Sequence, residues 1–137
     1  MKLLYDNDHL SKRDRTDLLA EEGKLRYWGI YDFAFKHRTR IFDENDIEVA
    51  YVEKDISLDE DVVELRNPDD SVIDRLAKRD DSYILENKGW KYSGSFEEGK
   101  IEDIMKIEKG VLEFEKEEDI LNCVMVLFSL VEIIRQE

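Results

Sequence analysis

Residues 120–134 read ILNCVMVLFSLVEII, and this run limits the folds that the chain can adopt. The charged stretch before it, residues 115–119, favours a helix start with Asp119 as its N-cap. A helix that is apolar on all sides must be surrounded on all sides, by a bilayer or by protein. The run contains Asn122, Ser129 and Glu132 and is shorter than the roughly 20 residues of a membrane span. The pattern therefore predicts a helix buried inside the domain and no transmembrane span.

The rest of the chain alternates apolar segments with turn residues, which is typical of successive β-hairpins. Gly23, Asn45, Asn67 and Asn87 mark four of the turns, at intervals of 22, 22 and 20 residues. Asn and Gly suit these positions because tight hairpin turns need a positive φ. A fifth hairpin is predicted from Ile101 to Phe114, which gives roughly ten antiparallel strands.

So many short strands need closure or a second sheet to protect their edges. Since the only long helix needs covering on every side, we expect a mainly β fold, a closed antiparallel β-barrel around the C-terminal helix. The chain of 137 residues has room for one domain, with a hairpin barrel over residues 1–116 and the central helix over residues 119–136.

The formal net charge of -14 makes nucleic acid a poor candidate for a partner, because the average field repels phosphate. The single cysteine, Cys123, lies in the apolar run, where it is predicted to be buried. One cysteine and an N-terminus interrupted by acidic residues indicate a cytoplasmic protein without a secretion signal.

No motif in the chain indicates catalysis, a metal or a cofactor. The stretch from Asp43 begins like a calcium loop, but Glu48 stands where that loop needs glycine and Lys54 where it needs glutamate. An Asx-type hairpin turn explains the stretch better. The two histidines, His9 and His37, lack metal-ligand spacing, and His37 is expected in a solvated basic turn. The glycines form no phosphate-binding loop.

Two basic islands stand out from the acidic background, at residues 12–15 and 36–40. If both lay on one rim of the barrel, they could hold a phosphate or a lipid headgroup. The alternative is that they are loop charges paired with neighbouring acids. The candidate contact residues are Lys12, Arg13, Arg15, Lys36, Arg38 and Arg40. A further group of aromatics is predicted to pack in the barrel rather than to stack on single-stranded nucleic acid: Tyr27, Trp28, Tyr31, Phe33 and Phe35.

The strand-turn-strand segment at residues 40–52, the hairpins around it and the closing apolar helix resemble the LURP-one-related family of the tubby C-terminal-like superfold. The resemblance covers nearly the whole chain and implies a closed barrel of about twelve strands threaded by a hydrophobic helix. Relatives in this superfold bind phosphoinositides or act at membranes, but none of their lipid-binding residues matches a position here.

We therefore expect a non-enzymatic binding or scaffold domain that acts on an unknown protein or small ligand. Two alternatives stay open. One is peripheral association with anionic phospholipids through the basic islands, and the other is an enzyme that uses buried carboxylates.

Overall fold

The computed structural model describes residues 1–33, 37–54 and 61–134, with the side chains of Phe33 and Ile134 left aside. Its helical elements are a short helix α1 (Asn7–Ser11), a 3-10 turn (Glu117–Asp119) and the C-terminal helix α2 (Ile120–Ile134). The strands are β1 (Lys2–Leu4), β2 (Thr16–Ala20), β3 (Leu25–Phe33), β4 (His37–Asp43), β5 (Glu48–Lys54), β6 (Val62–Arg66), β7 (Val72–Arg79), β8 (Ser82–Leu85), β9 (Trp90–Gly94), β10 (Glu98–Ile101), β11 (Met105–Glu108) and β12 (Val111–Phe114).

The twelve strands form one closed antiparallel barrel in which each strand pairs with its neighbours in the sequence. Strand β1 closes the barrel, because Leu3 lies opposite Ala20 of β2 on one side and opposite Leu112 of β12 on the other. The predicted fold class, a closed β-barrel with a buried C-terminal helix, is confirmed.

Helix α2 is enclosed by the barrel, as its composition predicts. All its side chains from Cys123 to Ile133 are buried, and they share one apolar core with the inward-facing strand residues. Gly29 of β3 shows how closely the helix approaches the wall, since a Cβ at this position would lie 2.5 Å from the ring of Phe128. Only glycine leaves room for that ring. Among the described residues, no helix is long and apolar enough to cross a membrane.

One local prediction is wrong, and two short elements lie outside the predicted pattern. Asp119 is not the N-cap, because the helical backbone already begins with the 3-10 turn after Lys116. Strand β1 and helix α1 escaped the alternation pattern because both are short. Helix α1 is fixed by Asp6, whose carboxylate accepts hydrogen bonds from the backbone N–H groups of Asp8 and His9.

In some turns, a residue other than the predicted one has the positive φ. Gly23 has the positive φ that was expected of it, at 88°. In the turns marked by Asn45 and Asn67, the positive φ falls on Asp46 and Asp70 instead. Aspartate tolerates the left-handed region because its short side chain bonds locally, so an acidic residue can take the role expected of asparagine.

Candidate functional site

The outer surface of strands β2 to β7 carries an ordered array of aromatic and charged side chains. Because successive side chains alternate between the two faces of a strand, the residues that face outward line up in rows across the sheet. The first row is Asp17, Trp28, Phe42 and Glu48; the second is Ile30, Arg40, Tyr51 and Arg66; the third is Asp32, Arg38, Glu53, Glu64 and Arg75. We call these rows, with Arg15 and Asp46 that contact Trp28, the aromatic–arginine wall.

Trp28 is the centre of the first row. Its ring stacks on Phe42, with centroids 4.2 Å apart and planes 13° apart. The guanidinium of Arg15 lies 3.9 Å from the Trp28 ring centroid. The indole N–H donates to Asp46 Oδ1 at 2.9 Å, which ties the strand to the β4–β5 turn. The indole is therefore held in one orientation on the outside of the barrel.

Two arginines of the other rows, Arg38 and Arg40, are also held by a carboxylate and an aromatic ring. Arg40 donates two hydrogen bonds to Glu48, at 3.1 and 3.2 Å, and lies over the Phe42 ring. Arg38 donates to Asp32 at 3.1 Å and lies over the ring of Tyr51. Forked, planar guanidinium groups pair with carboxylates and stack on aromatic rings at the same time, which an ammonium group does poorly. The array is ordered before any partner arrives.

Two aliphatic side chains next to this array are exposed. Ile30 lies in the second row and is 38% exposed, and Ile47 lies in the β4–β5 turn and is 60% exposed. Ile30, Trp28 and Phe42 are neighbours on the outer face and form an apolar patch on a chain in which 41% of residues are charged, and Ile47 is a further exposed apolar side chain in the adjoining turn. Contiguous exposed apolar surface marks a site of interaction more often than scattered apolar residues do.

The two kinds of basic residue are segregated between the two sides of the barrel. Every outward-facing basic residue in the described part of β3–β6 is an arginine. On strands β8–β12, the exposed basic residues are Lys91, Lys100 and Lys106, and residues 80–134 contain no arginine at all. Arginine and aromatic residues are enriched in protein interfaces and lysine is depleted. The β3–β6 side of the barrel therefore has the arginine-rich composition of a protein interface, whereas the β8–β12 side has the lysine-rich composition of ordinary surface.

The predicted anion contacts do not form one basic surface in the described part of the chain. Arg15, Arg38 and Arg40 lie on the aromatic–arginine wall, each with a carboxylate oxygen within 3.1 Å. Arg13 turns inward, Lys12 is exposed at the end of α1, and Lys36 lies outside the described residues. The geometry therefore follows the alternative of charges paired with neighbouring acids. Binding of phosphate or phospholipid by these residues stays a prediction.

Arg13 instead reaches a buried carboxylate at the end of α2. Glu132 is 1% exposed; its Oε1 accepts a hydrogen bond from the Thr39 hydroxyl at 3.0 Å, and its Oε2 lies 3.7 Å from an Arg13 nitrogen. Burial raises the pKa of Glu132, while Arg13, the Thr39 hydrogen bond and Lys54 act against that rise. A cavity of about 10 Å³ next to this group, with room for about one water molecule, is lined in part by Arg13, Tyr31 and Thr39.

The prediction that His37 lies in a solvated turn is wrong. His37 begins strand β4, is half-buried, stacks against the Tyr31 ring and hydrogen-bonds to the Tyr31 hydroxyl. Burial lowers the pKa of His37, and Arg13 and Lys54 lower it further. The histidine therefore belongs to the same inward-facing polar group as Glu132.

The acidic β4–β5 turn is an Asx-type turn, as predicted. Asp43 Oδ1 accepts hydrogen bonds from the backbone N–H groups of Asn45 and Ile47. Among the described residues no group of three or more His, Cys, Asp or Glu side chains is placed to hold a metal ion. Two carboxylates are buried in the described ranges, and their partners differ. Asp74 accepts hydrogen bonds from the backbone N–H groups of residues 87 and 88, whereas Glu132 contacts Thr39 and Arg13.

The prediction that the aromatic group packs in the barrel is right for Tyr27, which contacts the core, and wrong for Trp28, which faces outward. Phe35 and the side chain of Phe33 lie outside the described residues. The signal for the wall was present in the sequence: Trp28 and Ile30 flank the inward-facing Gly29, and the arginines stop at residue 79 of the described chain.

Comparisons with protein-family models, with curated proteins and with solved structures find no significant match to this chain. The resemblance to the LURP-one-related family therefore stays a prediction.

Proposed function

We propose that this protein is a non-enzymatic binding domain that recognises another protein through the aromatic–arginine wall. The observation that carries the proposal is the stack of Arg15, Trp28 and Phe42 on the outside of the barrel, beside the exposed Ile30 and Ile47. Hot spots of protein interfaces are enriched in tryptophan, tyrosine and arginine. The barrel and its enclosed helix provide the rigid support for that surface.

The internal order of the wall supports the same function. Immobilising a flexible side chain on binding costs about 0.5 to 1.5 kcal/mol. Arg15, Arg38 and Arg40 are each held by both a carboxylate and an aromatic ring. Much of the ordering cost is therefore met during folding, so that more of the contact energy with a partner becomes affinity.

The test is a comparison of two double variants as baits for proteins of the cells that express this chain. Trp28→Ser with Ile47→Ser removes the central ring of the wall and the exposed apolar side chain of the adjoining turn. Lys106→Ser with Glu113→Ser changes two exposed residues on the opposite side of the barrel. After circular dichroism has shown both variants to be folded, quantitative capture should show one or more proteins lost from the first bait and retained on the second. Equal capture by both baits contradicts the proposal.

A further inference from the structure

Carboxylates border the apolar side chains of the wall and of the adjoining β4–β5 turn. Ile47, the most exposed large apolar side chain among the described residues, belongs to a turn in which four of the six residues from 43 to 48 are acidic. Within the described part of the chain, that turn forms two ion pairs, Glu44 with Lys24 at 3.7 Å and Glu48 with Arg40 at 3.1 Å. Asp46, bonded to the Trp28 indole, adds a carboxylate beside the stacked rings. A partner side chain that packs on Ile47 and Phe42 must therefore approach carboxylates at its border.

The net negative charge of the whole chain also favours a positively charged partner. The wall has five arginines and six carboxylates and is close to neutral, so nearly all of the net charge of -14 lies elsewhere on the protein. A partner drawn to the neutral wall must still pass through the negative field of the rest of the barrel. Such a field speeds the approach of positively charged partners and suppresses acidic ones.

We infer that the partner is a protein whose contact segment presents apolar side chains bordered by lysine and arginine. The apolar side chains pack on Trp28, Phe42 and Ile47, and the basic border meets the carboxylates of the β4–β5 turn. This inference rests on the proposed function and names the chemical class of the partner for the same surface.

Three synthetic peptides of one length and one amphipathic apolar pattern provide the test, with their polar positions filled by lysine, glutamine or glutamate. Binding is read from the emission of Trp28 in a Trp90→Phe background, since these are the two tryptophans of the chain. The lysine peptide should bind at least about ten-fold more tightly than the glutamine peptide at low salt, and the glutamate peptide should not bind. The advantage of lysine should shrink at about 0.5 M salt, where charges are screened within a few Å.

A pair of charge-matched variants separates the turn from the overall charge. One set, Glu44→Gln, Asp46→Asn and Glu48→Gln, removes three negative charges from the β4–β5 turn and its border. The other set, Glu102→Gln, Glu108→Gln and Glu113→Gln, removes three negative charges from exposed positions between β10 and β12. The first set should lower the affinity for the lysine peptide by about five-fold or more, and the second by less than about two-fold.

Equal losses in both triple variants would overturn the inference, because the attraction would then come from the overall charge alone. Binding of the glutamine or glutamate peptide as tightly as the lysine peptide would overturn the basic character of the partner while leaving the wall as a binding surface. A Trp28 signal that responds to none of the peptides would also overturn the inference, and the bait comparison described above then decides the proposed function separately.

Discussion

Trp28 and Phe42 lie directly opposite each other on β3 and β4, and their rings stack at 4.2 Å on the solvent side of the barrel. Facing aromatic pairs of this kind contribute about 0.5 to 1.5 kcal/mol beyond the area they bury. In a core the same pair would need no further explanation. On the outside of an acidic barrel, with an arginine stacked on the indole, it marks the surface that we assign to partner binding.

The turn that supports Trp28 gives the first prediction. Asp46→Ala removes the acceptor of the indole N–H and puts alanine at a φ of 61°, so the free energy of unfolding should fall by about 1 to 2 kcal/mol. Asp46→Asn keeps an acceptor oxygen and tolerates positive φ, so it should stay within about 0.5 kcal/mol of the wild type. Denaturant unfolding measures both, and equal losses in the two variants would show that the hydrogen bond and the backbone conformation do not matter.

The buried helix gives the second prediction. Leu127 is completely buried in α2, so Leu127→Ala should lower the free energy of unfolding by about 2 to 5 kcal/mol. Ile47→Ala, at an exposed position, should change it by about 0.5 kcal/mol or less. Chemical denaturation followed by circular dichroism checks both values. A loss below about 1 kcal/mol for Leu127→Ala would argue against a helix enclosed by the barrel.

The contact between helix α2 and strand β3 gives the third prediction. Gly29→Ala places a methyl group 2.5 Å from the Phe128 ring, and overpacking of this kind costs about 1 to 3 kcal/mol. Phe128→Leu should leave space for that methyl group, so the double variant should be more stable than the sum of the two single changes predicts. Additive losses in this double-mutant cycle would mean that the two side chains do not meet.

The pH dependence of stability gives the fourth. Burial raises the pKa of Glu132 in the folded protein above the ordinary value of 4.5, so the folded state holds this proton more tightly than the unfolded chain does. Protonated Glu132 therefore contributes its full stabilisation at a pH below its pKa in the unfolded chain. This stabilisation is lost as the pH rises through the pKa of Glu132 in the folded protein.

Glu132→Gln removes this titration and keeps the acceptor for Thr39. The stability of Glu132→Gln relative to the wild type should therefore increase as the pH rises from about 4 to about 8. Thermal unfolding across that range provides the measurement. A difference between the two proteins that is independent of pH, or that changes in the opposite direction, would refute the assignment.

The fold could be predicted from the sequence because it depends on patterns that extend over many residues. The apolar run at residues 120–134 has no polar face, and the hairpin alternation provides the only material that can cover it. Short elements such as β1 and α1 could not be predicted, because three to five residues are too few to show a period. The prediction of Asp119 as the cap is wrong because the helix begins with a 3-10 turn, which the local sequence does not reveal.

The candidate site was harder to predict, because it depends on the register between strands. Arg38 and Arg40 were recognised as unusual from the sequence, yet their partners Asp32 and Glu48 could be identified only after the strands had been aligned. The ion pair of Arg13 with Glu132 joins positions 119 residues apart in the chain. Only the closed barrel brings the end of α2 against the loop after α1.

The most direct test of the central claim is photo-crosslinking in cells that express the protein. A photoreactive amino acid at position 47 lies in the β4–β5 turn, between the wall residues Asp46 and Glu48, and one at position 113 lies at an exposed site of strand β12, away from the wall. A discrete protein adduct at position 47, absent at position 113 and lost when Trp28→Ser is added, is the result that we predict. Adducts of equal yield at both positions, or an adduct at position 47 that persists in Trp28→Ser, would contradict the assignment of this wall as the binding surface.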